Sequence, residues 1–223
     1  MNISIFYKEW IKSRWALVIL LIFGVGLVLN VWISVDHDLR FVNAPKVWNA
    51  IVSQGYMFFG SWLRYFPFVS GIILALVQFV PEFQQKRLKI SLHLPMKVND
   101  IFRSMLFYGN LSLFAVFILP LSLLSLITLM YFPLEILYAT LLTIIPWFFG
   151  GFVTYSYLSM VIVEPSWKFK IIYLILMLGV VYFFQFYSAY GIYKDSIWSL
   201  IGLMILLSCS ILYSGNRFKR GEM

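Results

Sequence analysis

Charge is scarce in this chain. Only 12% of its 223 residues are Asp, Glu, Lys or Arg, while 62% are hydrophobic and 20% aromatic. Soluble domains carry roughly 25% charged residues and cannot bury so much apolar surface. Soluble classes are therefore excluded, and the chain reads as an integral membrane protein. Cysteine is scarcer still. Cys209 stands alone between Ser208 and Ser210, which rules out an internal disulfide and leaves it the character of a small buried hydrophobe. The two histidines, His37 and His93, fall in different loops. The phosphate-loop pattern GxxxxGK[ST] is missing, as are HExxH and GxSxG. These absences assign the chain no catalytic, cofactor-binding or metal-holding residue. Asp36-His37-Asp38 could hold a cation weakly, but a solvated cap on the outer end of the first span is the better reading.

Apolar runs of span length are what the chain has instead. A bilayer crossing needs about 20 residues. Six such runs are expected, near 16–35, 58 or 65–80, 102–131, 134–163, 171–186 and 197–213. What remains is too little for a separate soluble domain, so residues 1–223 form a single transmembrane unit. The first run follows Lys8, Lys12 and Arg14 like a signal peptide, but no small-residue cleavage site comes after it, so it reads as a retained span. Residues 1–15 interleave Ile5, Phe6, Trp10 and Trp15 with those basic residues, the pattern of an amphipathic interfacial helix. The fold class expected is thus an all-α integral membrane protein with six transmembrane helices. Trp and Tyr gather at the predicted span boundaries as an interfacial belt.

Basic residues are distributed unevenly between the two sides. Lys8, Lys12, Arg14, Lys86, Arg87, Lys89, Lys97, Arg103, Lys168, Lys170, Arg217, Lys219 and Arg220 share one side of the six-span layout. Arg40, Lys46, Arg64 and Lys194 lie opposite. Lys and Arg concentrate on cytoplasmic loops, so both termini and the central loop are expected in the cytoplasm, in a multi-pass protein of the inner (cytoplasmic) membrane. The net charge of +8 follows from this bias and does not indicate a nucleic-acid partner.

The longest polar interruption is the central loop, 81–100, between the second and third spans. Lys86, Arg87 and Lys89 are interleaved there with Leu88, Leu92 and Leu94 before Pro95, and Lys97 follows it. Asn99-Asp100 then reads as a helix start. An amphipathic element on the basic side suits either a docking surface for a soluble partner or a helix resting on lipid headgroups.

Inside the predicted spans, no Asp, Glu, Lys, Arg or His falls clearly at mid-bilayer. Ion-driven carriers usually keep such groups there, so any energy for transport is expected from outside the chain. Asn30, Gln78, Asn110, Thr128 and the hydroxyls of the fourth span are expected to make mostly inter-helix hydrogen bonds. Pro146 with Gly150-Gly151 predicts a break or bend in that span, which makes Thr154, Ser156 and Ser159 candidates to line a passage. The other reading is a kinked packing helix. Gly71/Ala75 and Ser210/Ser214 would permit close helix contact.

This layout resembles the permease subunits of ABC-type exporters of the second class. The resemblance rests on Glu82, on Leu88, Ile90 and Leu92, on Leu94-Pro95 and on Lys97, which stand where that family has an acid, a leucine-rich coupling helix, a Leu-Pro and a basic residue. Gln85-Lys86 replace the family's turn glycine, and Tyr187–Ser196 is too short for a re-entrant segment. The resemblance implies a permease coupled through residues 82–97 to a pair of cytoplasmic ABC ATPases, with ATP and Mg bound by those partners and none by this chain. It also implies a second permease subunit, identical or paralogous. An aromatic, uncharged passage would suit a lipid-linked, peptide or amphipathic substrate. A non-transporting assembly or sensor subunit, or a membrane-embedded enzyme, are the alternatives.

Overall fold

The computed structural model describes residues 3–84, 98–164, 166–184 and 196–209. Every element in it is helical. Helix α1 spans Ile3–Asp38 and passes through a π-helical turn, Leu39–Asn43, into α2, Ala44–Gln54. Then come α3 (Ser61–Gln84), α4 (Val98–Tyr131), α5 (Leu134–Val163), α6 (Trp167–Phe184) and α7 (Ile197–Cys209). Five helices, α1, α3, α4, α5 and α6, are long and apolar enough to cross a membrane. Hydrocarbon offers no partner to backbone N–H and C=O groups, and helices satisfy these groups internally. The chain is a multi-pass α-helical membrane protein.

Several boundaries differ from the sequence expectation. The amphipathic segment 3–15 does not form a separate interfacial helix; it is the first part of the 36-residue α1. Nothing between Lys8 and Ala16 breaks a helix, and Leu17, Leu20, Val28, Val31 and Val35 continue one buried stripe at helical spacing. The expected loop after the first span is also largely helical. α2 turns Val47 and Ile51 inward and leaves Lys46, Asn49 and Ser53 exposed. Gly55 and Gly60, with φ of 65° and 68°, bracket the turn into α3, a left-handed conformation that glycine adopts without a Cβ penalty. As described, α7 has 13 residues, short of a full crossing. Residues 210–223, including Ser210 and Ser214, lie outside the described part of the structure.

The α4–α5 turn is Phe132-Pro133, closed by the Phe132 N–H donating to Thr128 O at 2.8 Å. Glu164 ends α5 in an extended conformation, φ −62° and ψ 127°, because the following proline disfavours α geometry. At the other end of α5, beside the Phe132-Pro133 turn, the Trp32 indole donates to Tyr131 OH (3.1 Å) and Tyr131 OH donates to Asp36 (3.2 Å). Arg40 pairs with Asp36 at 2.9 Å, so Asp36 is held by protein groups; no metal-holding cluster is found among the described residues.

The core lies between α3 and α5. Each needs glycine where the other approaches. A Cβ at Gly71 would collide with the Gly151 carbonyl oxygen, and one at Gly151 would lie 2.7 Å from the Pro67 carbonyl oxygen. Phe66, Phe117 and Phe148 fill the space beside this contact, the last two edge to face at 4.9 Å and 88°, a favoured aromatic geometry. By contrast, α6 buries only Met177 and Phe184 and leaves most of its apolar surface outward.

Candidate functional site

The polar centre of the molecule lies where the first turns of α1 meet the last turns of α3. Helical spacing sets Glu9 beside Ser13 on the buried face of α1, with Lys8 and Lys12 flanking them. Four residues apart on α3, Gln78 and Glu82 face the same way and are both buried. Lys12 Nζ lies 2.7 Å from Glu9 Oε1 and 2.9 Å from Glu82 Oε1, and also donates to the Gln78 carbonyl at 3.3 Å. Lys8 Nζ reaches Glu82 Oε1 at 2.9 Å. Glu9 and Glu82 are 0% and 1% exposed at the side chain. Glu9 Oε2 has no hydrogen-bond partner among the described residues.

A second layer joins this cluster to α4 and α5. Ser13 Oγ donates to the Glu9 carbonyl (2.9 Å) and stands 2.6 Å from the Tyr108 hydroxyl; with the serine proton so used, Tyr108 is the donor between them. Gln78 Nε2 donates to Met105 O at 2.8 Å, and Tyr155 OH donates to Gln78 Oε1 at 2.7 Å. Gly109 leaves room for Tyr155: a Cβ there would strike the phenol oxygen and come within 2.8 Å of Gln78 Oε1. Four helices thus meet through Gln78, whose two amide atoms are both satisfied. Tyr155→Phe is expected to cost about 1 kcal/mol, near the upper part of the range measured for hydrogen bonds between membrane helices. Thermal unfolding in detergent checks it, and an unshifted midpoint would mean that Gln78 is satisfied without the phenol.

The cluster pairs two lysines with two carboxylates, so each enclosed carboxylate has a cation beside it, with Lys8 partly exposed. Its chemistry is mechanical. The N-terminal end of α1 is tied to the end of α3, and the end of α3 cannot swing away unless Glu82 leaves both lysines.

Among the residues singled out from the sequence, Glu82 is at the heart of this site. Lys86, Arg87, Leu88, Lys89, Leu92, Leu94, Pro95 and Lys97 lie outside the described residues. Pro146, Gly150, Gly151, Thr154, Ser156 and Ser159 are all buried in α5, which runs as one helix from Leu134 to Val163. Gly150 packs against the Phe68 ring and Phe184. Where inter-helix bonds were expected, the hydroxyls donate within their own helices. Thr128, Thr143, Thr154, Ser156 and Ser159 each donate to the carbonyl four residues earlier in their own helix, which satisfies the group without a partner helix. Asn30 is exposed.

Glu9 is the residue that sequence reasoning missed. Its signal was local: an acid three residues before Lys12, on the same helical stripe as Ile5, Ser13 and Leu17. A buried acid in an apolar stripe needs a cation, and two stood beside it. Comparison with known proteins adds no relative, since no family model, no curated protein and no solved structure matches the chain.

Proposed function

We propose that this chain is the permease subunit of an ATP-driven ABC-type exporter. Six crossings with both ends in the cytoplasm would form half of the substrate pathway, the sixth being α7 with the apolar sequence that continues to Tyr213. The observation that carries the reading is the Lys8–Glu82–Lys12 clamp, with ion-pair distances of 2.9 Å on both sides. It grips the end of α3 directly before the segment that would meet an ATPase. A coupling segment transmits motion only if its root is rigidly joined to the membrane helices, and a buried, doubly paired carboxylate is such a joint. ATPase closure pushing on 82–97 would move α3 and α1 together, and through Gly71 and Gly151 it would carry α5.

In this scheme Leu88, Leu92 and Leu94 seat in an apolar cleft of the ATPase, each buried aliphatic side chain worth roughly 1.5–3 kcal/mol. Lys86, Arg87, Lys89 and Lys97 steer the approach. ATP and Mg belong to the partner, and a second permease chain completes the pathway. Leu92→Asp should abolish co-purification of a candidate ABC ATPase while the permease remains in the membrane fraction. Equal recovery with wild type and Leu92→Asp would remove the coupling assignment.

Topology is tested separately. With Cys209→Ser as background, a cysteine at Lys89 or Lys219 should be shielded from an impermeant thiol reagent in intact cells, and one at Lys194 should react. Labelling of position 89 from outside would overturn the orientation.

A further inference from the structure

Two prolines lie inside α3, Pro67 and Pro81. Each lacks the N–H that would reach the carbonyl four residues back, so each leaves a gap in the helix ladder. Such gaps are where helices bend. The two are held differently. Pro67 is buried against the backbone of α5, where a Cβ on Gly151 would lie 2.7 Å from its carbonyl oxygen. Pro81 is only half-buried, and it stands in the last turn of the helix.

The residues on either side of Pro81 are tied to different helices. Gln78 is fixed to α4 and α5, through Met105 O at 2.8 Å and the Tyr155 phenol at 2.7 Å. Glu82 is fixed to α1, through Lys8 and Lys12 at 2.9 Å each. Lys12 crosses the gap itself, because it also donates to the Gln78 carbonyl at 3.3 Å. The carbonyl that Pro81 leaves without a helical donor is that of Val77, and Lys12 splints the next one along to Glu82.

We propose that Pro81 is a hinge in α3 and that the Lys8–Glu82–Lys12 ion pairs are its latch. With both lysines in place, residues 81–84 continue the helix. Once they release Glu82, the last turn swings about Pro81 while Gln78 keeps its place between α4 and α5. Lys8, 39% exposed at the side chain, is the half of the latch that solvent reaches, and Lys12, at 13%, is the enclosed half. The inference concerns α3 itself and holds whether or not the chain serves an exporter.

Hydrogen–deuterium exchange on the detergent-purified full chain tests the hinge. Glu82→Gln removes the charge that both lysines grip and keeps the length of the side chain. In that variant the amides of residues 82–84 should exchange about tenfold faster than in wild type, the effect of losing hydrogen bonds to a charged group. Those of residues 74–79 should stay at the wild-type rate. Pro81→Ala on top of Glu82→Gln supplies the missing N–H to Val77 and should slow the last turn again by most of that factor. Should Glu82→Gln not fold, Lys8→Met opens the exposed half of the latch, with a smaller increase confined to the same amides. An unchanged rate at 82–84 would overturn the latch. Equal acceleration at 74–79 would mean that α3 loosens as a whole, and a last turn still fast after Pro81→Ala would mean ordinary end fraying. Either result removes the hinge.

Discussion

Replacing Lys12 with methionine is expected to destabilise the protein by about 3–5 kcal/mol, the usual consequence of stripping one partner from a buried ion pair. Lys12 is the group that serves both carboxylates, at 2.7 Å from Glu9 and 2.9 Å from Glu82. Glu82 retains Lys8 after the substitution. Glu9 loses its 2.7 Å ion pair and keeps a weaker attraction to Lys8, while its side chain is wholly enclosed. The loss should therefore come mainly from Glu9, which must bury a poorly compensated charge or take up a proton, and not from the missing lysine stem. That distinction is measurable. Glu9→Gln placed on top of Lys12→Met removes the orphaned charge and should recover more than half of the lost stability in a detergent unfolding series. Lys8→Met, which leaves Glu82 paired with Lys12, should cost less than Lys12→Met because Lys8 is 39% exposed. Wild-type stability of Lys12→Met, or a double variant no better than the single, would show that Glu9 is not held as described. On the export reading, Lys12→Met should also uncouple ATP hydrolysis from transport in complexes that still assemble, since the root of the coupling segment would be loosened.

Gly71→Val should have an effect of similar size for a different reason. The space a Cβ needs is occupied by the Gly151 carbonyl oxygen, and the Tyr155 backbone nitrogen lies 3.1 Å from it. Side chains can rotate away from an added methyl; two helix backbones in contact can only separate. A cost of about 3 kcal/mol is expected, at the upper end of the range for overpacking. Gly179 and Gly202 supply the control. Nothing lies within 4 Å of a Cβ at either, so the same substitution there should change stability by no more than about 0.5 kcal/mol. Three equal responses would mean that helix propensity dominates and that the α3–α5 contact is looser than drawn.

The sequence by itself determined the class of the protein. Mean composition excludes a soluble core, and each apolar run marks a helix because hydrocarbon leaves the backbone no other way to satisfy its polar groups. Proline at 133 and 165 marked two of the breaks, since proline acts on its immediate neighbours. Gly71 was legible as a site of close helix contact, although its partner was not. All these features are local: the solvent and the residue suffice to decide them.

Tertiary structure decided the rest, through pairs that no local pattern contains. Lys12 and Glu82 are 70 residues apart, and Gln78 and Tyr155 are 77 apart. Glu82 looked like an acid at a span end, and Gln78 like one of several mild polar groups, until α1 and α4 closed over both. The hydroxyls of α5 went the other way: expected to reach across to neighbours, they bond to their own helix, because a carbonyl four residues back is always within reach. The physical reason is the same in both cases. Serine and threonine can be satisfied by their own backbone wherever the helix lies. A buried lysine or glutamate cannot, so its position is settled only when distant helices bring its counter-charge.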